Sequence, residues 1–251
     1  CKGHPRRRRG CERCEGFGKL TKDSVQELIG WVIGKAAGTR RHKFHGAGRE
    51  DVDVRMLGEG RPFVFELESP KVSKIDLAEL EATINSRNEG RMEVRGLHWT
   101  QKGRVRFLKE GKFAKDYRAR VAVSEVPSQE IIDRLVGRRY TVAQKTPSRV
   151  AHRRADLIRE RWIEVLGVDV PAPGDDSVEP TIVVTLRTQA GTYVKEAISG
   201  EGGMTEPSVA QVLGISEARC LELDVLAILD EEGEDMGEAV AEPPSPFGAG
   251  L

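Results

Sequence analysis

The chain has 251 residues, 38% of them hydrophobic and 32% charged, enough to bury a core without staples and with no run of about eighteen apolar residues to span a bilayer as a helix. Four cysteines are too few for a disulfide framework, and the N-terminus has no apolar secretory core, so an intracellular protein is expected. The formal net charge of zero hides an asymmetry: from Cys220 onward there are nine Asp or Glu and no Lys or Arg, leaving the rest of the chain at +9.

In chain order, residues 1–20 are polar, Gly-rich and basic and carry three of the four cysteines. The first residue is Cys, as in a chain that begins inside a longer polypeptide or at an unusual start. DSVQELIGWVIGKAAG, from Asp23, places Val25, Leu28, Ile29, Val32, Ile33 and Ala36 at helical spacing, with Gly38 as its stop. Short β-type runs follow: DVDVRML, FVFELES, MEVRGLHWT, RVRFLKEG, DYRARVAVSEV, RWIEVLGVDV, TIVVTLRTQ and ARCLELDVLAILD. Helical stretches interrupt them at about Ile75 to Asn88, Ser128 to Gly137, Val194 to Ser199 and Pro207 to Leu213. Consecutive strands across short turns predict an α+β fold, a mixed and mainly antiparallel sheet with flanking helices. The domain reading is a cysteine-rich segment at 1–20, a catalytic domain at 21–230, and an acidic Gly/Pro-rich tail at 231–251 whose composition predicts disorder.

Three stretches carry chemistry. GRED, Gly48 to Asp51, opens a turn crowded with Arg49, Glu50, Asp51 and Asp53. By itself Asp51 reads as a turn cap sooner than as a reactive group. A nucleophilic or basic carboxylate must stay ionised while shielded from water, which calls for a neighbouring cation. TLRTQAGTYVKEAISGEGG supplies candidates, a strand running into the Gly191 turn and a helical start with Tyr193, Lys195 and Glu196. KFAKDYRARVAV alternates so that Tyr117, Ala119 and Val121 share one sheet face. Basic clusters at Arg6 to Arg9, at Arg40, Arg41 and Lys43, and between Arg138 and Arg161 suit a phosphate-backbone binder or a salt-bridged surface. In QKTPSRVAHRRADLIRER the excess of cations over acids favours phosphate contacts, while His152 reads as structural.

These motifs resemble pseudouridine synthases: G-R-x-D at Gly48, Arg49 and Asp51, K-x-Y-x-A-x-V at Lys115 to Val121, and a later strand-to-helix motif with a basic residue at Lys195. HGAGREDVDVRMLG, QKTPSRVAHRRADLIRERW and RTQAGTYVKEAISGEGGMTEPSV are similar to the archaeal and eukaryotic tRNA pseudouridine(54/55) synthase family in particular, from the cysteine segment to about Asp230. The resemblance implies a pseudouridine-synthase fold with a central basic cleft and an isomerase acting on T-loop uridines of tRNA, with no catalytic cofactor, nucleotide or membrane. It makes Asp51 the catalytic aspartate, as nucleophile or as base, Tyr117 the residue that stacks on the base, and Lys195 the partner of Asp51. Arg49, Tyr193, Arg149, Arg153 and Arg154 are then the candidate RNA-binding residues, Arg49 either filling the space of a flipped nucleotide or contacting phosphate or carboxylate. Glu50 receives no role, and Asp53 none beyond bracing the loop or Arg55. Family members usually carry a further N-terminal RNA-binding domain.

CKGH and GCERC place Cys1, His4, Cys11 and Cys14 at metal-ligand spacing for a structural zinc. In the family the corresponding motif has two C-x-x-C pairs, which makes His4 a substitute ligand or a bystander and the set as it stands incomplete. Cys220, in an apolar strand, reads as core. Two rivals come from other classes: a non-catalytic zinc-ribbon RNA-binding module, and a metal-dependent nuclease using Glu50, Asp51 and Asp53.

Overall fold

Alternation of apolar and charged residues from Tyr117 to Val121 makes the ten-residue segment Ala114–Val123 an interior strand of a seven-stranded sheet. The computed structural model describes residues 4, 6, 9–14, 16, 18–19, 23–152, 154–171 and 179–229. Cys1, Arg153 and the acidic tail therefore lie outside the described residues. Among the described residues the chain forms two compact units, one from residues up to His45 with Phe63–Arg106, the other from Gly46–Pro62 with residues 107–229.

In the first unit, helix α1 (Val25–Ala36) starts at a capping box: Ser24 Oγ accepts from the Glu27 amide, and Glu27 Oε2 accepts from the Ser24 amide at 2.8 Å. Strands β1 (His42–Gly46) and β3 (Phe63–Leu67) form a two-stranded sheet. Helix α2 (Leu77–Arg87) is capped by Asp76. Ile29, Val32, Ile33, Leu80, Ile84 and Val94 make the core, with Phe44 stacked on Phe63 at 5.2 Å.

Two of the expected strands do not form. MEVRGLHWT forms no regular strand and lies outside both sheets apart from an isolated bridge at Trp99, because side chains take the place of a partner strand. The Asn85 amide satisfies both the N–H and the C=O of Val94 at 2.8 Å, and Glu81 accepts from the Leu97 amide. RVRFLKEG is helix α3 (Gly103–Glu110), with residues 104, 105, 107 and 108 turned inward; that spacing is helical, and the two-residue alternation of Val105 and Phe107 is only part of it.

The second unit holds the large sheet. In chain order its strands are β2 (Val54–Met56), β4 (Ala114–Val123), β5 (Arg139–Lys145), β6 (Ile158–Asp169), β7 (Thr181–Thr188), β8 (Thr205–Glu206) and β9 (Ala218–Leu229). Their spatial order is β2-β9-β4-β7-β6-β5-β8. Only β2 with β9 is parallel, so the sheet is mixed and mainly antiparallel, as the sequence predicts. Helices α4 (Gln129–Leu135), α5 (Val194–Ser199) and α6 (Val209–Val212) accompany it, and Val194, Ala197, Ile198, Val209, Ala210 and Leu213 pack into the core with Ala119, Val121, Leu186 and Val225. Strand β5 escapes the sequence reading because a glutamine, Gln144, fills one of its buried positions. The register Lys145↔Ile158 leaves residues 146–157 as a long hairpin loop between β5 and β6. Thr146 closes its neck: the hydroxyl donates to Ala155 O at 2.6 Å and accepts from Arg159 Nη1 at 2.8 Å.

Candidate active site

Asp51 stands in the turn that precedes β2, and this turn is fastened from below by Glu50. Glu50 Oε1 accepts from Lys115 Nζ at 2.9 Å and from Arg61 Nη2 at 3.0 Å. Arg61 also donates through Nη1 to Ala47 O. Burial alone would raise the Glu50 carboxyl, but the Lys115 ammonium and the Arg61 guanidinium outweigh it, and the group sits below the ordinary carboxylate range. Gly48 is at φ +86°, and a Cβ there would meet Lys115 Nζ at 3.0 Å and Arg61 Nη1 at 3.1 Å. Glycine at this position thus answers both to the backbone angle and to the two cations that hold the loop.

The partners of the two aspartates differ from those the motifs suggest. Lys195, expected to pair with Asp51, donates to Asp53 Oδ2, and this contact holds the Asp53 carboxyl below its usual range. The cation on Asp51 is Arg149, whose Nη1 donates to Asp51 Oδ2. Arg149 was expected at phosphates; it also donates twice to Glu196, Nε to Oε1 and Nη2 to Oε2 at 3.2 Å. A motif specifies residue types and chain order, but in a D-V-D turn it does not specify which carboxylate turns toward which cation.

Three separate segments deliver these groups. The 3-10 turn Ser148–Val150 in the β5–β6 loop carries Arg149 and anchors itself through buried Val150. Helix α5 supplies Lys195 and Glu196 on successive residues. Its first turn is fixed by Gln144, which is 1% exposed: Oε1 accepts from the Tyr193 amide at 2.8 Å, and Nε2 donates to Tyr193 O and to Thr205 Oγ1, each at 3.0 Å. The Tyr193 ring lies 5.9 Å from the Arg149 guanidinium carbon.

Tyr117 is 3% exposed and belongs to the sheet core, opposite Leu186 and Val225. Burial pushes its hydroxyl far above the ordinary tyrosine value, and the charge of Glu50 adds to the shift. The ring that would stack on a base is thus covered in this structure and next to the loop that bears Asp51. Arg49 and Arg154 are exposed and form no ion pair with a described residue, whereas Arg153 lies outside the described residues. Val52, between the two aspartates, is 70% exposed. Burial pushes the Cys220 thiol up to about 11, within the fields of Lys195, Asp53 and Glu196, which suits a protonated, half-buried strand residue. Sequence reasoning missed Arg61 and Gln144 and named Glu196 without giving it a role; the signal for Gln144 was a polar residue in a β-alternating run.

Of the zinc set, only His4, Cys11 and Cys14 fall among the described residues. Cys1 lies outside the described residues, and among the described residues no three His, Cys, Asp or Glu side chains come together to hold a metal. His4 is exposed and its Nδ1 accepts from the Arg6 amide at 3.3 Å, while buried Cys14 accepts from the Gly18 amide at 3.1 Å. Glu50, Asp51 and Asp53 do not converge on a cation site either, since each is engaged by a cation of the protein.

Residues 9–229 match the family model described as Pus10, C-terminal. The chain belongs to this family. Among relatives, it is 43% identical over 224 residues to a tRNA pseudouridine synthase Pus10 of Methanothrix thermoacetophila, covering 88% of this chain and 47% of that protein. A tRNA pseudouridine synthase Pus10 of Methanothermobacter marburgensis is 46% identical over 224 residues, with 88% and 54% covered. The chain thus spans about half the length of these Pus10 relatives. A solved structure described as a Cbf5-Nop10-Gar1 complex is similar at 19% identity with a TM-score of 0.43, covering 82% of this chain and 45% of that one.

Proposed function

We propose that this chain is the catalytic portion of a tRNA pseudouridine synthase, an enzyme that converts uridine to pseudouridine in the T-loop at position 54, 55 or both. The observation that carries the reading is Asp51, on a loop fixed by Glu50 and Gly48 and ion-paired to Arg149, in a chain of the Pus10 C-terminal family. In the reaction the N1–C1′ glycosidic bond breaks, the uracil turns, C5 bonds to C1′, and the proton lost from C5 is balanced by one gained at N1. Asp51 either attacks the nucleoside or abstracts a sugar proton to start this sequence. Neither route needs an external reactant, and the substrate is its own leaving group and electrophile.

A uridine stacked in folded RNA must leave its stack to reach Asp51, at about a few kcal/mol. Exposed Arg49 and Val52 flank Asp51 and suit contact with the flipped nucleotide or the space it leaves, and Arg154 suits a phosphate. For the Tyr117 ring to stack on the base, the residues covering it must open. The structural zinc remains an expectation for the cysteine segment, as does a cytoplasmic location for an enzyme acting on tRNA. Incubating the chain with a T-arm stem-loop in EDTA tests the reading. Pseudouridine formed without metal is the expected result; strand cleavage lost in EDTA would assign a nuclease, and binding without chemistry an RNA-binding module.

A further inference from the structure

We propose that Glu196 is a positioning residue of this site, acting on Asp51 through Arg149; the inference rests on the reading of Asp51 as the reacting carboxylate. Glu196 is 6% exposed, on a helix whose first turn is held by Gln144. Its two oxygens take Nε and Nη2 of Arg149, a fork-on-fork contact that leaves one aimed donor, Nη1, for Asp51. Asp51 itself sits in a turn, and exposed Val52 gives that turn little packing on its far side. The direction of its carboxylate therefore depends on a cation from a loop, and the direction of that cation on a buried acid from a helix.

A geometric chain of this kind differs from a plain structural ion pair in what its removal does. A buried acid left without its cation destabilises the fold, whereas replacing both partners by neutral groups of like size restores much of the loss. If the Arg149–Glu196 pair served stability alone and neither partner aimed Asp51, activity would return with the fold. If Glu196 aims Arg149, the double replacement still leaves Asp51 without its donor. Arg149→Lys adds a separate handle, since an ammonium keeps the charge and lacks the planar fork that reaches both acids.

The experiment is single-turnover pseudouridine formation on a T-arm stem-loop, with RNA affinity and thermal midpoint measured alongside, for the unsubstituted chain, Glu196→Gln, Arg149→Met, Arg149→Lys and Arg149→Met/Glu196→Gln. A misplacement on the order of 1 Å can cost about 100-fold, so Glu196→Gln is expected to slow the reaction about 10- to 100-fold, with RNA affinity within about threefold. Arg149→Lys is expected to keep the thermal midpoint and lose rate. The double variant is expected to regain the midpoint lost in Arg149→Met without regaining rate. An unchanged rate in Glu196→Gln, or a rate that recovers with the midpoint in the double variant, overturns the inference while leaving the isomerase reading standing. No pseudouridine from the unsubstituted chain overturns that reading, and the inference with it.

Discussion

Four carboxylates of the candidate site, Glu50, Asp51, Asp53 and Glu196, meet four cations, Arg61, Lys115, Arg149 and Lys195. Only Asp51 is assigned chemistry. Asp51→Asn is expected to abolish pseudouridine formation while leaving RNA affinity within a few-fold, since binding rests on distributed cations; parallel loss of both in a filter-binding and turnover pair would reject this division. Glu50 fastens the loop, and its depressed carboxyl sets the sign of a pH effect. Its stabilising contribution is present above the unfolded value of 4.5 and is lost as pH falls through the lower folded value. Glu50→Gln should therefore cost about 1–2 kcal/mol near neutral pH, and the gap to the unsubstituted chain should close in acid. Urea unfolding at pH 7 and below pH 4 checks this, and a gap that widened in acid would contradict it. The Arg149 contact with Asp51 is a residue-scale fact that no spacing rule supplies.

At the scale of elements, α5 and the β5–β6 hairpin determine the site, and Gln144 joins them. Gln144→Leu would leave the Tyr193 amide and carbonyl and the Thr205 hydroxyl without their buried partner. The expected cost is about 2–3 kcal/mol in urea unfolding, with a fall in turnover as the start of α5 loosens; an unperturbed midpoint would show the amide to be dispensable. Helix α5 was legible to the residue from TYVKEAISG, because Val194, Ala197 and Ile198 repeat at helical spacing between a turn glycine and a C-terminal Gly200. Strand β4 was legible from its alternation. Strand β5 and helix α3 were not: a buried glutamine breaks the apolar pattern of the first, and the alternation of Val105 and Phe107 in the second fits two periods at once. MEVRGLHWT has the composition of a strand and lacks only a partner, which local sequence cannot provide.

For the whole molecule, the two units have separate cores, and the candidate site is built within the second. No helix among the described residues is long and apolar enough to cross a membrane. If tRNA is held by exposed cations such as Arg49 and Arg154, affinity should fall on the order of tens-fold when KCl rises from about 50 to about 200 mM, as for roughly three neutralised phosphates. An affinity insensitive to salt in that range would redirect attention to base stacking on exposed apolar groups such as Val52.

By itself the sequence determined the fold class, the order of the three motifs and the family, because periodicity, turn residues and motif spacing are properties of neighbours along the chain. Only the tertiary structure decided that Arg149 faces Asp51, that Lys195 faces Asp53 and that Tyr117 is covered. These depend on residues about 100 or more apart converging across a sheet, and the pairing of charges in such a cluster follows from distance and burial, which a linear pattern does not encode.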